Sequence, residues 1–190
     1  MTTRNRSLVV LVMMNIVLLG PSVAGQKRSE ASARDKFVGA WRLVSIETIR
    51  PNGEVIYPFY GRHPEGLIMY DNSGWMSVQV VSYPPAKAPS RSSREEVMAA
   101  PSAEKSSAFD SYYTYCGTWS LDSAQQVVRH HIRQSLIPGE VGEEVVRRYV
   151  LDGDRLTLTA KTHEMGRESR AKDRLAACSQ AVGYEIDVPF

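Results

Sequence analysis

From residue 38 onward one pattern recurs: a short run of β-branched and aromatic residues, then a cluster of Asn, Asp, Ser and Gly. Such runs are too short for helices and alternate in polarity, which is the signature of strands separated by tight turns. The runs fall at residues 38–49, 54–58, 67–70, 75–81, 112–121, 127–135, 144–151 and 155–159. The breaks include Asn52-Gly53, Asp71-Asn72-Ser73-Gly74 and Asp152-Gly153, with residues that tolerate the positive φ hairpins demand, and Asp122-Ser123-Ala124, which also reads as a turn. Residues 60–66 and 136–142 read as loops, and the charged stretch 164–172 reads as another. In the last run, residues 181–188, apolar Val182, Tyr184, Ile186 and Val188 alternate with Gly183, Glu185 and Asp187.

About nine short strands predict an all-β fold, and an antiparallel barrel of about eight to nine strands removes the exposed edges. The closing strand is expected at 181–188, paired with the opening one. A barrel of this size has an interior wide enough for side chains or one small ligand. Hydrophobic content of 43 % is enough to fill such a core.

Residues 84–110 break the pattern. Pro, Ala and Ser dominate there, and alternation stops. A short helix is expected over 93–100, capped by Ser92 or Ser93 and stopped by Pro101, with a second starting at Ser102. The segment reads as a lid-like insertion over one end of the barrel.

Residues 1–24 form a secretory leader by pattern: Arg4 and Arg6, an apolar run over 8–19, then Ser22-Val23-Ala24 with small residues before a cleavage point after Ala24. The run of about 12 residues falls short of the roughly 20 that cross a bilayer as a helix, so no stable span is expected after cleavage. An uncleaved N-terminal anchor is the alternative. Residues 25–36 then read as a linker or short helix, and 37–190 as the barrel domain. The expected location is secreted or periplasmic. Losing Arg4 and Arg6 brings the formal charge of +2 to zero, which gives no general electrostatic case for nucleic acid. In an oxidising compartment Cys116 and Cys178 are either one disulfide or two thiols.

The stretches Gly39-Ala40-Trp41-Arg42-Leu43-Val44-Ser45, Pro64-Glu65-Gly66-Leu67-Ile68-Met69-Tyr70, Gly74-Trp75-Met76-Ser77-Val78-Gln79, Gly117-Thr118-Trp119, Val128-Arg129-His130-His131 and Arg148-Tyr149-Val150-Leu151-Asp152-Gly153-Asp154-Arg155-Leu156-Thr157-Leu158 are the ones that matter together. In that order, across residues 37–159, they resemble the bacterial and fungal lipocalin-like domain family. The resemblance implies a lipocalin-type, calycin-like β-barrel.

Candidate site residues follow from alternation. On 127–135, Arg129, His131 and Arg133 share one face, which predicts His131 outside and His130 inside. A lumenal His130 either binds a ligand or moves a proton, or is a hydrogen-bonded core residue. Arg148, if inward, holds a carboxylate or enolate. Otherwise it is structural, stacked on Trp41 or paired with an acid such as Glu47. Trp75, Tyr113, Tyr115, Trp119 and Tyr184 either line an apolar pocket or simply pack the core. Gly39 and Gly117 each stand two residues before a tryptophan. They read as close backbone approaches beside an aromatic plug, so Trp41 is expected at the floor and the site at the other end.

No Gly-x-Ser-x-Gly elbow, phosphate-binding glycine loop or metal-ligand spacing is present, so no cofactor and no metal are expected. Three readings stand: an exported barrel that binds a small apolar molecule, a cofactor-free isomerase or cyclase working in the lumen, and a filled barrel acting through its surface on an envelope or protein partner.

Overall fold

A half-buried strand holds its register only if one face meets a core, and these strands do so around a single axis. In the computed structural model, which describes residues 31, 33–57, 60–83, 93–164 and 167–178, a helical turn α1 (residues 33–37) leads into β1 (Gly39–Ile49). There follow β2 (Val55–Ile56), β3 (Glu65–Tyr70) and β4 (Trp75–Val81), then the short helices α2 (Arg94–Ala99) and α3 (Ser102–Asp110). The chain continues as β5 (Tyr112–Asp122), β6 (Val127–Ser135), β7 (Glu144–Asp152), β8 (Arg155–Glu164) and β9 (Arg167–Ala177). All pairings are antiparallel. Strand β1 pairs with both β3 and β9, which closes an eight-stranded barrel of β1 and β3 to β9, with β2 an extra hairpin arm on β1. Among the described residues no helix is long and apolar enough to cross a membrane.

The ring is closed by β9. The stretch 164–172, expected to be a charged loop, supplies most of that strand, and the segment expected to close the barrel, 181–188, lies outside the described residues. The reason is chemical: the inward face of β9 carries Ser169, Ala171, Asp173 and Leu175, of which only Leu175 is a large apolar residue. A strand whose core face is polar and small has no hydrophobic alternation to read.

Two irregularities aim the inward side chains. A bulge between Leu43 and Ser45 lets Trp41 and Leu43 face inward, and then Ile46 and Thr48, across one inserted residue. Glu47 therefore points outward, where Arg174 of β9 takes it as an ion pair. A second bulge sits between Cys116 and Gly117, and a Cβ on Gly117 would lie 2.0 Å from the His131 carbonyl oxygen. That close approach is the one expected. At Gly39 the expectation fails: open space surrounds its Cβ position, and the residue serves instead to turn α1 into β1 at φ +137°.

The end of the barrel beside α1 is plugged by aromatic rings. Phe37 is fully buried, stacks on Trp119 at 6.1 Å and meets Tyr70 and Tyr149 edge-on at 5.6 and 4.7 Å. Burial of one such ring is worth about 1.5–3 kcal/mol, and each edge-on pair adds about 0.5–1.5 kcal/mol. Both indoles have their N–H satisfied: Trp41 Nε1 donates to the Phe37 carbonyl at 2.8 Å and Trp119 Nε1 to that of Asp71 at 3.0 Å. Arg34 lies over the Trp119 ring at 4.1 Å. The residues just before the barrel thus form its floor, beneath Trp41.

The connection between β4 and β5 is helical where it is described. Ser93 caps α2 in a reciprocal box with Glu96, and Pro101 ends the first helix before α3 begins. Neither helix buries a residue, and Val97, Met98 and Phe109 stay exposed.

Candidate functional site

The inward face of β6 presents Val128, His130 and Ile132 to the lumen, while His131 and Arg129 meet Glu144 on the outer wall at 3.1 and 3.5 Å. His130 is 0 % exposed and lies between two phenols: its Nε2 is 2.8 Å from the Tyr70 hydroxyl and its Nδ1 is 2.7 Å from that of Tyr115. Burial, helped by the charges of Arg147 and His131, holds its pKa well below the usual histidine range, so the ring is neutral. A neutral imidazole gives one hydrogen bond and accepts one, so one phenol donates to it and the other accepts. Burial also raises Tyr70 and Tyr115, and both remain protonated.

Tyr115 couples this triad to a buried ion pair. Arg147 on β7 lies close enough to Tyr115 to act on its hydroxyl, and its Nη1 donates to Asp173 Oδ2 on β9 at 2.6 Å. Burial opposes the charge on Arg147, but Tyr115, Asp173 and Tyr70 outweigh it and hold the guanidinium protonated. At Asp173 burial raises the pKa and Arg147 pulls the other way. Arg147 Nε is buried without a hydrogen-bond partner. Tyr70, His130, Tyr115, Arg147 and Asp173 thus make one polar layer across the barrel, directly above the aromatic floor.

Above that layer is a cavity of about 290 Å³. Its walls are apolar, from Leu43, Ile46, Leu67, Ile68, Val78 and Val80. Its base is Tyr115, Arg147 and Asp173, and Thr48, Tyr60, Tyr113 and Thr162 add polar groups higher up. At the rim, the short 3-10 turn Pro138–Glu140 brings in Glu140, whose Oε2 accepts from Tyr113 at 2.8 Å and from Ser135 at 2.7 Å. Burial and this carboxylate both raise Tyr113 and Tyr60, which stay protonated. The cavity opens away from Trp41, at the end where β4 finishes and β5 begins. No residue of α2 or α3 lines it.

The candidate residues divide accordingly. Tyr113 and Tyr115 line the cavity. His130 lies a layer below, reaching the cavity only through Tyr115, and Trp119 belongs to the floor. Trp75 faces outward, 53 % exposed, over a shallow groove beside Val38 and Met69. Arg148 is also on the outer wall; the inward arginine is Arg147. Tyr184 lies outside the described residues. The sequence does not tell Arg147 from Arg148, because Arg148 stands between Val146 and Val150, 47 % and 61 % exposed, much as Arg147 stands between Val145 and Tyr149. Tyr70, Tyr60 and Asp173 were missed. Asp173 was out of reach because its strand reads as a loop, whereas Tyr70 lies on the inward face of a recognised strand. Cys116 and Cys178 are both free thiols. Among the described residues no group of three His, Cys, Asp or Glu side chains is placed to hold a metal ion.

Against known proteins, a family model described as a lipocalin-like domain matches residues 38–180. No curated protein matches the chain. The lipocalin-like barrel fold suggests ligand binding in general.

Proposed function

This chain belongs to the lipocalin-like domain family, and from that premise we propose that it binds one small, mainly apolar molecule in the open end of its barrel. The observation that carries the proposal is the cavity of about 290 Å³, walled by aliphatic side chains and closed below by a polar layer. Its volume is at the lower end of the range typical of ligand pockets, about 300–1,000 Å³. At about 30 Å³ per water it has the bulk of roughly ten waters. A barrel acting only through its outer surface would be expected to fill this space with side chains. The basic, apolar and small-residue pattern over residues 1–24 supports action outside the cytoplasm, as a secreted or periplasmic protein.

The test is native mass spectrometry of the protein purified from its own compartment, paired with titration of an uncharged apolar fluorophore. A co-purifying small molecule, and probe displacement by lipophilic compounds, are expected. Val80→Trp, which fills the cavity from its wall, is expected to abolish both. Absence of probe binding together with absence of competition sinks the proposal.

A second reading is supported by one contact. The Tyr115 hydroxyl stands on the cavity base, backed by His130 at 2.7 Å and by Arg147. Such a phenol can donate a proton to a carbonyl oxygen, as an isomerase or cyclase requires. On that reading Tyr115→Phe leaves ligand binding in place and removes turnover; unchanged turnover refutes it.

A further inference from the structure

The base of the cavity also says which polar end a ligand carries, an inference that rests on the binding reading above. Among the described residues Arg147 and Asp173 are the only charged side chains on the cavity wall, and they are already in contact at 2.6 Å. Every other polar group on the wall is uncharged, and His130 beneath it is neutral. The base is therefore electrically balanced.

A carboxylate entering this site would leave water with no free cation to meet it. It would have to share Arg147 with Asp173, placing two anions on one guanidinium in a cavity walled mainly by aliphatic side chains. An unpaired buried charge costs several kcal/mol, and like charges side by side add to that. An uncharged oxygen meets neither penalty. A hydroxyl or ketone oxygen accepts from the donors on Tyr115 or Arg147, a hydroxyl can donate to Asp173, and the ion pair stays intact. We propose that the cavity selects an uncharged ligand, an apolar body bearing one hydroxyl or carbonyl oxygen at its buried end, and rejects a carboxylate of the same length.

The experiment uses the full chain and the neutral probe N-phenyl-1-naphthylamine, displaced by 1-decanol, 2-decanone or decanoate at pH 7.5. In the wild type the alcohol and the ketone are expected to compete at concentrations about tenfold or more below decanoate. Decanoate competing as well as the alcohol overturns the inference and leaves the binding reading standing. Failure of all three to compete removes the binding reading, and this inference with it. Because any apolar cavity disfavours decanoate, Asp173→Asn is the deciding variant. It keeps the shape of the side chain and leaves Arg147 as an unpaired cation. Decanoate is expected to gain about tenfold or more in this variant while 1-decanol shifts little. An unchanged ratio shows that generic apolarity, not charge balance, sets the preference, and overturns the inference. Should Asp173→Asn not fold alone, decanoate and not 1-decanol is expected to restore a cooperative melting transition. Equal effects of the two on melting count against the inference.

Discussion

Replacing His130 by leucine tests the polar layer most directly. The imidazole is fully buried and serves two buried hydroxyls, Tyr70 at 1 % and Tyr115 at 3 % exposure. Leucine is close in volume, so the loss lies in hydrogen bonding rather than in a cavity. A buried polar group left without its partner costs about 1–3 kcal/mol. Tyr115 still has the Arg147 guanidinium beside it and falls at the low end of that range, so about 2–5 kcal/mol is expected in all at pH 7.5. That is a large share of the 5–15 kcal/mol typical of a domain. The pH dependence supplies a sharper signature. His130 has its pKa depressed in the fold, below the value of about 6.5 expected in the unfolded chain. The unfolded state therefore binds the proton more readily. The histidine's contribution is complete above about pH 6.5 and is lost as pH falls below it, at about 1.4 kcal/mol per pH unit. Between the unfolded-chain value and the lower one in the fold, acidification removes stability from the wild type that the variant never had. Urea unfolding, followed by tryptophan fluorescence at several pH values, should show the gap between the two proteins narrowing as pH falls below about 6.5. A gap that stays constant or widens on acidification would mean that His130 is protonated in the fold, and would refute the layer as described. Adding Tyr70→Phe and Tyr115→Phe to the leucine variant should recover part of the loss, since apolar replacement of both partners leaves no orphan hydroxyl.

Asp173→Ala should cost about 3–5 kcal/mol in urea unfolding, because it strands the buried charge of Arg147, and adding Arg147→Met should return much of it. Gly117→Ala forces a Cβ against the His131 carbonyl and should destabilise by about 1–3 kcal/mol, whereas Gly139→Ala, with open space at its Cβ, should stay within about 0.5 kcal/mol of wild type in the same assay. Phe37→Ala should cost about 3–5 kcal/mol in thermal or urea unfolding, although the residue precedes the first strand.

Much of the barrel is legible in the sequence because its turns are chemical statements. The β3–β4 hairpin follows from Asp71-Asn72-Ser73-Gly74, and Gly74 does take a positive φ there, at 95°. The inward placement of His130 follows from the two arginines on the opposite face of its strand. Where charge faces inward, the same logic points the wrong way. Asp173 marks its strand as solvated, and only Arg147 from a different strand makes its burial tolerable. Arg147 in turn cannot be told from Arg148 while its partner is unknown. The polar layer is made of long-range pairs, and alternation along one strand holds no information about them. Phe37 escapes notice for a related reason: a single ring beside a polar helix looks like linker until the barrel beneath it exists.

The aromatic floor has a practical corollary in orientation. Residues 33–37 seal one end, and at the same end the backbone N–H of Cys178 meets the carbonyl of Ala40 at 2.9 Å as the chain leaves β9. The polypeptide thus enters and departs on the blind side of the barrel. Whatever is attached there, a tether to a surface, a tag or a reporter, starts from the side opposite the mouth. A fluorophore placed on Cys178 should therefore report from the side opposite the mouth.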